Sequence, residues 1–129
     1  MSGAGATARP VRLADAELRF GDWGPGYLSQ AEHAAFGTIV LRPGDEFANH
    51  LHERHEESFL AVEGEAELWI DREGPVRLAA GEFVSCPPNV EHFLRNTGEA
   101  PFRALFIKAP GVAADKIDRP WHPGDRPSD

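Results

Sequence analysis

Cysteine is nearly absent: Cys86 is alone among 129 residues. No intramolecular disulfide framework can form, so the fold must rest on packing. Methionine and tyrosine also occur once each. Basic residues are short, with Lys+Arg 13 against Asp+Glu 21, a formal charge of −8. That balance argues against nucleic acid and anionic membranes as partners, because both reward a basic face. No run approaches the ~20 apolar residues of a membrane span. The first eight residues have neither a basic region nor an apolar segment. A secretory leader is therefore not expected, and a cytoplasmic location is.

Sustained helical periodicity is also missing. In its place stand 13 glycines and 11 prolines, spread so that they punctuate many short elements. This favours an all-β fold rich in turns. At 41% hydrophobic residues the chain can form a core, and its length suits one domain. The expected division is a flexible tail over 1–8, one barrel domain over 9–114 and a Pro-rich tail over 115–129. Trp121 can dock that second tail on the barrel or on a neighbouring subunit.

Short apolar runs between turn signals mark the strands. Phe36 to Leu41 ends at Pro43-Gly44, and Ser58 to Ile70 bends at Glu63-Gly64. Ala66, Leu68 and Ile70 alternate with Glu65, Glu67 and Trp69, the period of a half-buried strand. Arg72 to Pro75 reads as a hairpin loop before a short strand at Val76 to Leu78. Ala80-Gly81 is a turn, followed by strands at Phe83 to Ser85, Glu91 to Arg95 and Phe102 to Lys108. Single helical turns are expected near Asp15 to Leu18 or Val112 to Ile117. Strands at this spacing suggest a sandwich or a barrel.

The histidines choose between them. Three of six lie in Asn49-His50-Leu51-His52-Glu53-Arg54-His55, followed by Glu56 and Glu57. On a strand, His50 and His52 point to one face. Two imidazoles with a nearby carboxylate suit a divalent transition metal. Over a longer span, Gly44, His50, His52, Glu57 and Gly64 form G-x5-H-x-H-x4-E-x6-G. Gly81, Pro87, Asn89, His92 and Asn96 form G-x5-P-x-N-x2-H-x3-N.

These two motifs resemble those of the cupin family, G-x5-H-x-H-x3–4-E-x6-G and G-x5-P-x-G-x2-H-x3-N. The single departure is Asn89 where the family has Gly, and Asn tolerates the positive φ such a turn needs. The resemblance implies a jelly-roll β-barrel of two antiparallel sheets, the double-stranded β-helix. It implies that His50, His52, Glu57 and His92 converge on one divalent metal: Fe, Mn, Ni, Zn, Co or Cu. Under the shorter family spacing Glu56 is the alternative to Glu57, and the position of Gly64 favours Glu57. Three neutral donors and one carboxylate would leave net charge +1 and open positions, as at a reactive metal.

The resemblance does not name the reaction, since cupins include dioxygenases, isomerases and binding proteins. An intact ligand set favours a metal-dependent, oxygenase-type enzyme acting on a small molecule. A sugar isomerase-like enzyme and a non-enzymatic small-molecule-binding cupin are the alternatives. Tyr27, Arg42 and Lys108 are candidate catalytic or substrate-binding residues. His55 falls off the ligand spacing and belongs to the loop. His33 and His122 carry no signal, and Cys86 reads as a small buried hydrophobe. Phe59, Leu94, Phe106 and Trp69 read as core. The resemblance also implies a homodimer, with Leu13 to Phe20 able to cross to a neighbour.

Overall fold

A computed structural model describes residues 9–125, so the expected tail over 1–8 lies outside the described residues. Within them ten strands follow one another: β1 Gly24–Gln30, β2 Ala35–Leu41, β3 Glu46–His52, β4 Glu56–Glu63, β5 Glu65–Ile70, β6 Glu73–Ala79, β7 Phe83–Cys86, β8 His92–Arg95, β9 Phe102–Ala109 and β10 Lys116–Asp118. All pair antiparallel in two five-stranded sheets, ordered β1-β2-β9-β4-β7 and β10-β3-β8-β5-β6. The sheets close face to face as the expected jelly-roll barrel. Non-sequential neighbours such as β2-β9 and β3-β8 bring distant segments together, which is what assembles the site.

Alternation along each strand builds the interior. On β9, Phe102, Ala104 and Phe106 are buried between partly exposed neighbours. On β4, Glu57, Phe59 and Ala61 share the buried face, and on β5 so do Ala66 and Leu68. Ile39, Leu41, Phe59, Leu68, Leu94, Phe102 and Phe106 belong to one continuous core. Each such side chain contributes about 1.5–3 kcal/mol by leaving water. Trp69 is buried as expected, but apart from this cluster. It lies on the outer face of its sheet, edge-on to Phe93 at 5.6 Å and under Arg95 at 4.8 Å.

Turn chemistry fixes where the strands reverse. Gly64, at the β4–β5 bend, has φ +71, and a Cβ there would meet the Pro101 carbonyl oxygen. Only glycine meets both demands. Asn89 adopts φ +65, as its place in the second motif requires, and its N–H donates to the His52 carbonyl at 2.7 Å. Asn96 is fully buried, and its side-chain amide donates to the carbonyls of Leu41 and Ala100.

Several boundaries differ from the sequence expectation. The β5–β6 turn is Asp71-Arg72, both at positive φ, and β6 already begins at Glu73. Pro75 thus sits inside a strand, which is tolerated because β6 is at a sheet edge. β1 has no counterpart in the strand rhythm, since its Gly24-Pro25-Gly26 start reads as a turn. It forms as the other sheet's edge, where a missing proline N–H does no harm. The only helical turn among the described residues is a 3-10 turn at Leu13–Asp15. Val112 to Ile117 is not helical, and the sheet runs past the expected boundary at 114 to include β10. Beyond it, Trp121 docks on the chain's own barrel, edge-on to Phe93 at 6.2 Å.

Candidate metal centre

Three strands deliver the four ligand candidates. His50 and His52 come from β3, His92 from β8 and Glu57 from β4 of the opposite sheet. A β-bulge decides the direction of the β3 pair. Phe47 lies opposite Leu94, but His50, not Asn49, lies opposite His92. Strict alternation from the inward Phe47 would send Asn49 into the barrel and both histidines out of it. One extra residue reverses that parity and brings His50 and His52 inside.

One ligand atom from each of these four residues lies within 4.8 Å of every other. All four residues are at most 2% exposed. Glu57 Oε1 is 2.9 Å from His52 Nε2, 3.0 Å from His92 Nε2 and 3.7 Å from His50 Nε2. Glu56 is exposed and outside the cluster, so of the two glutamates only Glu57 stands with the three histidines.

The second ring nitrogens set the chemistry. His50 Nδ1 is 2.7 Å from the Ala48 carbonyl and His92 Nδ1 is 3.3 Å from the Val90 carbonyl. A carbonyl only accepts, so each Nδ1 carries the hydrogen and each neutral ring turns a bare Nε2 lone pair toward Glu57. Lone pairs then face a carboxylate, an arrangement that only a cation completes. Burial pushes His50 down, against its charged form. Burial alone would raise Glu57, whereas hydrogen bonds donated by protonated ring nitrogens around Oε1 hold it well below the usual carboxylate range, a role that a bound cation would take over from those protons. The residues thus fit a divalent ion: three nitrogen donors, one anionic oxygen and, for His50 and His92, second ring nitrogens anchored as metal-ligating histidines have them, while His52 Nδ1 has no partner.

Behind this cluster stands His55, stacked on His52 with ring centroids 4.1 Å apart. Burial and the neighbouring His52 push it down to about 4. Asp115 lies beside it at 3.3 Å. The Asp115 carboxylate accepts hydrogen bonds from the backbone N–H groups of Glu53, Arg54 and His55. It therefore clamps the loop between His52 and Glu57. Asp115 drew no attention in the sequence because its partners are 60 or more residues away.

Of the three other candidates, two reach this end of the barrel. Lys108 is the cross-strand partner of Glu57, and its Nζ donates to the Tyr27 hydroxyl at 2.9 Å. Tyr27 packs edge-on to Phe106 at 5.3 Å. Arg42 lies elsewhere, just past Leu41 and Phe102 at the far end of the β2–β9 ladder. It is paired there with Asp45 at 2.9 Å and Asp22 at 3.2 Å. His33 is exposed. His122 contacts Phe93 and bonds Glu46 across the outer sheet face. Cys86 is buried, and burial together with Glu57 pushes its thiol up to about 12, consistent with an inert side chain. Arg19 and Lys116 also line the chamber and were missed. Lys116 lies opposite His52, in the segment whose proline content reads as a tail. No helix among the described residues is long and apolar enough to cross a membrane.

Comparison with known proteins agrees with this geometry. The chain is 34% identical over 74 residues to Protein SchB of Streptomyces halstedii, covering 57% of this chain and 53% of that one. It is 36% identical over 52 residues to a quercetin 2,3-dioxygenase of Bacillus subtilis, covering 40% of this chain and 15% of the enzyme. The match thus spans about half of SchB and a small part of the dioxygenase. An uncharacterized Klebsiella pneumoniae protein with a double-stranded beta-helix domain superposes with TM-score 0.78 at 22% identity. That superposition covers 88% of this chain and 99% of the other. The cupin domain pattern itself matches residues 37–108, more than half of the chain and all four ligand candidates. With motif spacing, barrel and pattern in agreement, the chain belongs to the cupin domain family.

Proposed function

We propose that the protein is a metal-dependent enzyme acting on a small molecule, with oxygenase-type chemistry favoured over sugar isomerisation and over plain ligand binding. The observation that carries this reading is the convergence of three imidazole Nε2 atoms on the Glu57 carboxylate inside the barrel. A divalent transition ion held there would polarise substrate oxygens and, if redox-active, give access to dioxygen. The chain's own residues do the rest. Glu57 offsets one positive charge. The Ala48 and Val90 carbonyls hold the His50 and His92 rings in their ligating tautomer. Phe59, Phe106 and Ile39 line the chamber, keep water out and strengthen its electrostatics. The likeness to a quercetin 2,3-dioxygenase leans toward oxygen use, over a 52-residue segment.

Elemental analysis of protein purified without chelators tests the ligand set. One equivalent of metal is expected in the wild type and almost none in His50→Ala or His92→Ala. Unchanged metal in both variants would refute the site. Oxygen consumption by Fe- or Mn-loaded protein with phenol or diketone substrates tests the chemistry, and equal turnover without oxygen would return the reading to isomerisation.

The homodimer belongs with this proposal. Phe36, Val62 and Phe83 are 39%, 41% and 59% exposed on β2, β4 and β7 of one sheet, an apolar face suited to a second copy. Sedimentation at micromolar concentration is expected to give twice the chain mass.

A further inference from the structure

We propose that the substrate is a small organic acid, selected by a ring of cations built around the metal chamber. The inference rests on the proposed metal-dependent reading and deepens it. The chain as a whole is acidic at −8. Its chamber is not. Arg19, Lys108 and Lys116 all line it, and its sole acidic lining residue is the ligand Glu57.

The placement of the two lysines follows from the register. Lys108 on β9 lies directly opposite Glu57 on β4, and Lys116 on β10 lies directly opposite His52 on β3. Cross-strand partners project to the same face of a sheet. The two lysines therefore flank the candidate metal site from opposite sheets. Neither Arg19 nor Lys108 has a carboxylate partner among the described residues. Lys108 donates to Tyr27 Oη and lies 5.2 Å from the Phe106 ring centre. Lys116 sits over Phe47 and reaches Asp118 at 3.5 Å, but that carboxylate is 76% exposed and screened by water. A divalent ion balanced by Glu57 alone leaves one positive charge, and the three side chains add three more. Unbalanced positive charge in a site walled by Ile39, Phe59 and Phe106 attracts an anion strongly.

Size limits what each space can take. The chamber is narrow, about 20 Å³, while an open groove of about 260 Å³ lies beside it. Tyr27 and Lys108 line both. The acid group enters the chamber between the lysines, and the remainder of the substrate rests in the groove against Ala35 and Val112. The groove contains Glu32, so its own charge is mixed and the anion selection belongs to the chamber.

Malonate and its neutral isostere malonamide distinguish charge from shape. Each is titrated into Co(II)-loaded protein, with binding read by calorimetry and by the visible cobalt spectrum. Malonate is expected to bind at least about tenfold more tightly, as one charge-assisted contact supplies. Raising the salt should narrow the preference. Lys108→Met combined with Lys116→Met should remove most of it while cobalt stoichiometry stays at one. The single variants serve if the double variant does not fold. Equal binding of the two compounds, or no binding of either, overturns the proposal, as does a preference that survives both substitutions. Absence of cobalt binding in the wild type refutes the metal reading separately. The same titrations on metal-free protein then read charge selection alone.

Discussion

The barrel interior has two ends made from the same strands. On β8, His92 and Leu94 both point inward two residues apart, one toward the metal cluster and one into the core. On β4 the sequence Glu57, Phe59, Ala61 makes the same passage. On β9 it runs from Phe102 through Phe106 to Lys108 at the mouth. The apolar end is closed by complementary packing and requires nothing else. At the other end, lone pairs and charges face one another at contact distance. Stability is thus concentrated at one end, and the other is left with electrostatics that a bound cation satisfies.

Substitution at the apolar end should therefore separate the two most sharply. Leu94→Ala is expected to lower the unfolding free energy by about 2–5 kcal/mol in urea titrations, with metal content per folded chain unchanged. Loss of metal in that variant would mean that the two ends are coupled through β8. Asp115→Ala comes next. Removing an acceptor shared by three loop amides should destabilise the chain by about 2 kcal/mol. It should also weaken metal affinity, which a purely structural loss at the apolar end would not do.

Acid titration sharpens the comparison without altering the core. His55 is pushed down to about 4 from 6.5, so the folded state binds fewer protons than the unfolded one between those values. Its contribution to metal-free stability is complete above about pH 6.5 and is lost as the pH falls toward 4. Melting temperatures across that range should fall in the wild type and fall less in His55→Phe. Metal should bind more tightly as pH rises, because protons and metal compete for the same lone pairs. Arg42→Ala is expected to do least. Its ion pairs are exposed and lie away from the chamber, so both stability and malonate affinity should match the wild type.

Much of this was legible in the chain. The strand rhythm located the bend at Gly64 and the strands around Phe36 to Leu41 and Phe102 to Lys108, because glycine and proline act locally. The motif spacing picked out all four ligand candidates. It could not separate Lys108, which reaches the chamber, from Arg42, which does not, since both merely close apolar strands. β1 and β10 were missed for a related reason. Their Gly/Pro-rich surroundings disfavour strands in isolation, and edge pairing with β2 and β3 overrides that preference.

The sequence by itself determined an all-β chain, most of its reversal points and the four ligand candidates. These depend on conformational preferences and on fixed spacings within short segments. Only the tertiary structure decided that the bulge after Phe47 turns His50 and His52 inward. It also decided that Asp115 clamps their loop and that Lys108 and Lys116 stand opposite two ligand candidates. Register across strands decides each of these, and a register joins residues far apart in the chain, such as His52 and Lys116, 64 positions apart.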